Sequence, residues 1–183
     1  LMLRPSQLPF RLLLGQSPSM RSGRRLAIDV GKARIGVAVS DFHGILASPV
    51  GFVQREASVD ESVRSWLQFV SARQEELGVE FLELYIGLPI NLKGQTTEST
   101  QDAIAIGHAF ASSSNLEPRF IDERLTTVSA LSNLRSAGKD ARKSKGLVDA
   151  AAATLILETA LAAEKSTGQM PGLSEAEVEL LCN

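Results

Sequence analysis

The sequence predicts an α/β fold, a mixed five-stranded sheet flanked by helices, on three observations. Three short runs rich in aliphatic and β-branched residues come first, and strand-like and helix-like segments then alternate. A chain of 183 residues with 44% hydrophobic content and a net charge of −2 suits one globular domain with ordinary tails, rather than two domains or a disordered chain. Glycine, proline and capping residues divide the segments cleanly.

The stretch from Leu1 to Arg25 holds five arginines and no acid, which superficially resembles a targeting segment. Met20 offers a more economical start directly before the first strand, so residues 1–21 are expected to form a disordered extension outside the fold. Arg25–Val30 and Arg34–Ser40 read as a hairpin around Gly31-Lys32-Ala33. Ile45–Gln54 supplies a third strand, which Pro49 makes an edge or bent one.

A helix follows, with Ser58 and Glu61 as a capping box, apolar residues from Val59 to Val70 at helical spacing and Gly78 as its stop. Trp66 lies on that apolar stripe and is expected in the core, not as a base-stacking platform. Phe81–Ile86 is a fourth strand that stops at Gly87-Leu88-Pro89. A helix around Glu98–Ala111, a fifth strand Arg119–Asp122, a helix from Thr126 or Thr127 to Gly138, and a long helix Leu147–Ala163 complete the order βββαβαβαα. That order is the one an RNase H-like sheet uses, although other α+β folds can host it. The domain is expected to span residues 22–166, and 167–183 to be a tail in which Ser174 and Glu177 can cap a short helix.

Several classes are excluded. No apolar run is long enough to cross a bilayer. The single cysteine, Cys182, rules out disulfides and makes a reducing, cytoplasmic setting the default. His43 and His108 share no metal-ligand spacing. The net charge argues against bulk attraction to nucleic acid, yet Arg135, Lys139, Arg142, Lys143 and Lys145 crowd one short stretch.

The acids carry the chemistry. Asp29 ends an apolar strand before a glycine turn, and alternation puts it on the same side as Ala27. Taken alone it reads first as a turn former, bonding to its own backbone. Asp122 and Glu123 end the fifth strand. If the strand runs through both, they point to opposite faces, so only one can join Asp29 while Arg124 neutralises the other. Asp149 lies in the first turn of an otherwise apolar helix and shares a stripe with Ala153, Ile156 and Ala160. A helix N-terminus alone would welcome it, and so would a shared metal ion.

Three carboxylates without nitrogen or sulfur ligands make a hard oxygen site, suited to Mg2+ or Mn2+. Two such ions about 4 Å apart would serve phosphodiester cleavage without a Ser, Cys or His nucleophile. The basic stretch, with Lys139, Arg142, Lys143 and Lys145, precedes Asp149 directly and would track a phosphate backbone. Lys32, Arg34 and Arg124 are further candidate contacts.

Four segments, in order, resemble the YqgF/RuvX family: Ile28-Asp29-Val30-Gly31 with Arg34-Ile35-Gly36-Val37-Ala38, Ile86-Gly87-Leu88-Pro89, Asp122-Glu123-Arg124-Leu125-Thr126-Thr127, and Lys145-Gly146-Leu147-Val148-Asp149. The resemblance implies an RNase H-like fold, likeness to Holliday-junction resolvases and a nuclease role in maturing the 5′ end of the 16S ribosomal RNA precursor. It puts catalytic acids on Asp29, on the Asp122-Glu123 pair and on Asp149, with Asp29, Glu123 and Asp149 favoured as the metal ligands. Ala33, Lys93 and Ser129 depart from the family pattern. Two rivals stand beside this reading: a resolvase of branched DNA, and a non-catalytic nucleic-acid-binding factor in ribosome assembly or transcription. An actin-like ATPase would duplicate the fold and need more chain than this. Either a monomer or a homodimer is compatible with trimming one RNA end.

Overall fold

The computed structural model describes residues 20–125 and 150–182 in full and residues 145–149 by their backbone. The expected helix between Thr126 and Gly138, the cations Lys139, Arg142 and Lys143, and residues 1–19 lie outside that description. In chain order the elements are β1 (Arg24–Val30), β2 (Arg34–Ser40), β3 (Ala47–Gln54), α1 (Val59–Leu77), β4 (Phe81–Leu88), α2 (Glu98–Ser114), β5 (Glu117–Asp122), a 3-10 turn (Glu123–Leu125), α3 (Lys145–Thr167) and α4 (Glu175–Leu181).

The sheet runs β3-β2-β1-β4-β5. β1, β2 and β3 pair antiparallel, while β1–β4 and β4–β5 are parallel. The β1–β2 hairpin closes through Gly31 N–H donating to the Arg34 carbonyl at 3.1 Å. A Cβ at position 31 would lie 2.5 Å from that oxygen, so glycine is what the turn admits. Pro49 sits on the edge strand where a register shift interrupts the ladder, the setting in which a missing donor costs least. β4 runs two residues beyond the expected stop, because Gly87 and Leu88 still pair with Ile121 and Asp122 before Pro89 ends the strand.

Strand alternation sends Leu26, Ile28, Leu84, Ile86, Leu88 and Phe120 to one face, where α1 and α2 cover them. Trp66 is fully buried there. It stacks on Phe110 at 4.8 Å between centroids and donates its indole N–H to the Phe110 carbonyl at 3.2 Å, so its polar atom is satisfied in the core. Ser58 and Glu61 form the expected capping box, and Gly78 ends α1 at φ +62°.

The opposite face carries Ala27, Ala38, Ala47, Tyr85 and Ile121, against which α3 lays Ala153, Ile156, Leu157, Ala160 and Leu161. Alanines on both sides let the helix lie close to the sheet. Two contacts fix its direction. Glu164 meets Arg25 at the start of β1 (2.9 to 3.1 Å with Arg21 included), whereas the Ile156 side chain lies over Gly87 near the end of β4. The N-terminus of α3 therefore points to the sheet edge where β1, β4 and β5 end.

At the other edge, Arg21, Arg25, Glu83 and Glu164 form a closed ionic group. Arg25 is wholly buried, Glu164 accepts from both arginines, Arg21 also pairs with Glu83, and the Tyr85 hydroxyl donates to Glu83 at 2.6 Å. Burial pushes the Glu164 carboxyl up, but the two arginines overrule it and leave the group below the usual range.

Residues 168–182 join the fold. Phe120 and Leu173 exchange backbone hydrogen bonds at 2.9 and 2.8 Å, and Val178 of α4 is buried in the larger core. No helix among the described residues is long and apolar enough to cross a membrane.

Candidate active site

Strand parity decides which acids meet. Ala27 and Asp29 of β1, Tyr85 and Gly87 of β4, and Ile121 of β5 all lie on the α3 face. Ile28 pairs with Ile86, so Asp29 is level with Gly87 in the next strand. Gly87 pairs in turn with Ile121, two residues before Glu123. The backbone turns into the 3-10 turn at Glu123, which keeps its carboxylate on the side of Ile121 and Asp29.

Gly87 makes the approach possible. A Cβ there would stand 2.6 Å from Glu123 Oε1 and 2.5 Å from Ile156 Cδ1. The Glu123 carboxylate thus occupies the space that a side chain on β4 would fill, roofed by α3. Its carboxyl is pushed up to about 7, first by burial and then by the negative charges of Asp29 and, more weakly, Asp122. Asp29 and Glu123 therefore share one electrostatic field, on neighbouring sides of a strand that has no side chain between them.

Asp122 has a different environment. It accepts the Arg124 backbone N–H at 2.9 Å and takes the guanidinium in a fork, Nε at 3.0 Å to Oδ1 and Nη2 at 2.6 Å to Oδ2. These bonds hold its carboxyl below the usual range. Of the two neighbours left open by the sequence, the structure brings Glu123 to Asp29 and gives Asp122 to Arg124.

Asp149 is positioned by backbone alone. It lies one helical turn before Ala153 and two before Ile156, on the stripe that faces Gly87, and at the end of α3 directed to this edge. Its side chain, like that of Lys145, lies outside the described residues. Among the described residues no three His, Cys, Asp or Glu side chains gather as a metal cluster. What is described is a pair of half-buried oxygen donors with like charges, a donor set whose repulsion a hard divalent cation would relieve.

The candidate phosphate contacts are distributed around this edge. Lys32 is exposed in the hairpin turn two residues after β1. The Arg34 guanidinium lies 4.6 Å above the Phe52 ring, so its stem is committed to the hairpin surface. Arg124 is exposed beside Asp122. Gly87 was the residue that sequence reasoning missed: it served there as a strand terminator, while a glycine inside a strand is also the signal for close approach by another group.

A family model described as RuvX, Holliday junction resolvase, matches residues 23–163. A protein of Clavibacter sepedonicus named "Putative pre-16S rRNA nuclease" is 44% identical over 153 residues, 84% of this chain and 91% of its own. One of the same name from Leifsonia xyli subsp. xyli is 47% identical, over 84% of this chain and 94% of its own. Among solved structures, Thermus thermophilus RuvC in complex with a Holliday junction substrate superposes with a TM-score of 0.50 over 78% of this chain and 97% of that one. At 13% identity that likeness is one of fold, the RNase H-like fold.

Proposed function

The chain belongs to the RuvX family, and from that premise we propose that it is a divalent-metal-dependent nuclease that cleaves phosphodiester bonds in structured nucleic acid. Its proposed reaction is 5′-end maturation of the 16S ribosomal RNA precursor, in line with the names its relatives carry. The observation that carries the reading is the meeting of Asp29 and Glu123 across Gly87, with the Glu123 carboxyl lifted to about 7. Evolving a gap in a strand to press two acids together costs stability, and catalysis is the familiar reason for bearing that cost.

In this reading Asp29, Glu123 and Asp149 hold Mg2+ or Mn2+. The bound cation supplies Lewis acidity toward the phosphoryl oxygens and compensates the three carboxylates. Asp29 is oriented by the β1–β2 ladder, where it pairs with Gly36. Glu123, its carboxyl raised to about 7, would hold a proton at mildly acidic pH, so that cation binding by these acids would be linked to pH near neutrality. Lys32, Arg34, Arg124 and the cations Lys139, Arg142, Lys143 and Lys145 contact phosphates and give register without reading bases. We take residues 22–166, with residues 168–182 packed onto them, as the catalytic domain, and ribosomal RNA precursor as substrate makes the cytoplasm its place of work.

A resolvase of branched DNA is the second reading, favoured by the description of the matching family. One assay separates the two and tests both. The full chain is incubated with a precursor 16S fragment and with a four-way DNA junction, in Mg2+, Mn2+ or EDTA. Cleavage of the RNA that requires the cation and is lost in Asp29→Asn and Asp149→Asn supports the proposal. Equal activity in wild type and both variants would sink it.

A further inference from the structure

Arg124 touches Asp122 with one edge of its guanidinium only. Nε and Nη2 are engaged by the two carboxylate oxygens, and the backbone N–H of Arg124 donates to the same Oδ1. A guanidinium has five N–H donors, so the fork leaves those on the Nη1 side unengaged by Asp122. That side lies beside the loop after β4: Nη1 is 3.5 Å from where Gly94 would carry a Cβ.

The loop is itself fixed. The Asn91 side chain accepts from Lys93 N–H at 3.0 Å and Gln95 N–H at 2.9 Å, its carbonyl accepts from Gly94 at 2.9 Å, and Gly94 takes φ +78°. Lys93 thus stands next in the chain to the position that Arg124 reaches. It is exposed, and so is Arg124.

We propose that Asp122 is a positioning residue for nucleic-acid binding: it clamps Arg124 so that its Nη1 edge, next to the loop that carries Lys93, takes a backbone phosphate close to Glu123, its neighbour in the chain. The inference rests on the nuclease reading given above. It departs from the expectation that Asp122 is a catalytic acid. Asp122 acts through Arg124, because its oxygens are engaged by the fork while Glu123 Oε1 lies over Gly87.

The clamp trades charge for geometry. Asp122 cancels the net charge of Arg124, so bulk attraction gains nothing, but an arginine fixed in one rotamer loses less freedom when a phosphate arrives. Two opposite signs follow for one substitution. If attraction is a matter of net charge, Asp122→Asn removes a negative group and tightens binding. If Asp122 orients Arg124, the same change weakens it, since the Asn amide can accept at only one oxygen and turns a donor toward Nη2.

Binding of a fluorescently labelled precursor 16S fragment and a four-way junction is measured on the full chain in EDTA, where no metal ligand contributes. Asp122→Asn, Arg124→Gln and Arg124→Lys should each weaken binding about tenfold, the order expected of a charge-assisted contact. The double variant Asp122→Asn/Arg124→Gln should be no weaker than Arg124→Gln alone. In Mg2+ turnover, the loss in Asp122→Asn should fall on KM rather than kcat, and Mn2+ affinity should be kept.

Wild-type or tighter binding by Asp122→Asn overturns the proposal. A further loss when Asp122→Asn is added to Arg124→Gln, or a tenfold drop in Mn2+ affinity, also overturns it and returns Asp122 to the metal site. Full binding by Arg124→Lys overturns the fork in favour of simple charge. If the wild-type chain binds neither nucleic acid, the nuclease reading fails first and takes the clamp with it.

Discussion

Two pairs of acids lie at opposite edges of the same sheet face, and they differ in what surrounds them. Glu83 and Glu164, at the edge where β1 and β4 begin, are buried against Arg21 and Arg25, and Glu164 stays below its usual range. Asp29 and Glu123 lie where β1 and β5 end, and burial with the charge of Asp29 pushes Glu123 up to about 7. One helix, α3, spans both edges, with Glu164 near its C-terminal end and position 149 in its first turns. The compensated pair ties elements together. In the second, repelling pair, burial and like charge disfavour the ionised form of Glu123, the perturbation expected of a functional carboxyl.

The largest effect should come from breaking the repelling pair. Asp29→Asn and Glu123→Gln should each lower metal-dependent cleavage by about a thousandfold or more, as the loss of several kcal/mol of charge stabilisation implies. The same Glu123→Gln should leave the thermal midpoint of the metal-free protein at or above that of wild type at pH 7.5, because it removes a like charge. A variant that keeps activity, or that unfolds, would erase the contrast between the edges.

The compensated pair should respond in the opposite sense. Arg25→Met removes a fully buried partner of Glu164 and should cost about 3 kcal/mol in denaturant unfolding, as breaking one side of a buried ion pair does. Cleavage by the protein that remains folded should survive. Stability near that of wild type would show that Arg21 alone suffices for Glu164.

Much of this contrast was legible in the sequence, and some was not. The hairpin, the capped helix α1, the core position of Trp66 and the approach of Asp149's helix follow from local periodicity and punctuation, which are properties of neighbouring residues. The choice between Asp122 and Glu123 was not legible, because it depends on where β5 gives way to the 3-10 turn and on the Arg124 fork. Nor was the Arg25–Glu164 pair, which joins residues 139 apart in the chain. Gly87 carried its signal in plain view, but a glycine before Leu-Pro reads first as an ending. The segment read as a tail contributes Val178 to the core, since one buried valine on a short helix leaves little periodicity to detect.

A pH series tests the same contrast more gently. A glutamate carboxyl ordinarily titrates near 4.5, and that of Glu123 does so at about 7 in the fold. Between those values the folded chain holds the proton more tightly than the unfolded one. The sign follows: the contribution of this group to stability is full below about 4.5 and is lost as pH rises to about 7, by an amount of order 3 kcal/mol. Groups held low, such as Asp122 and Glu164, lose stability only at more acidic pH and do not share this window. Metal-free protein should therefore melt lower at pH 7.5 than at pH 5.5, Glu123→Gln should flatten the slope, and added Mn2+ should restore the midpoint at pH 7.5 but not at pH 5.5. A flat profile in the wild-type chain would contradict the burial and repulsion that raise Glu123.

The smallest effect on stability, and the finest test of the geometry, belongs to Gly87→Ala. The new methyl would meet Ile156 Cδ1 at 2.5 Å and Glu123 Oε1 at 2.6 Å, both at the ends of flexible side chains. Each can swing aside, so the fold should lose only about 1 kcal/mol, the low end of overpacking. The cost falls on position. If Glu123 moves off Gly87, it leaves the level of Asp29, and a displacement of about 1 Å at such a site can cost about a hundredfold in rate. Melting and cleavage measured on one preparation should therefore separate, with a nearly unchanged midpoint and a large loss of activity. Full activity in Gly87→Ala would mean that the carboxylate does not work from the gap in β4, and the carboxyl edge would then owe its chemistry to Asp29 and α3 alone.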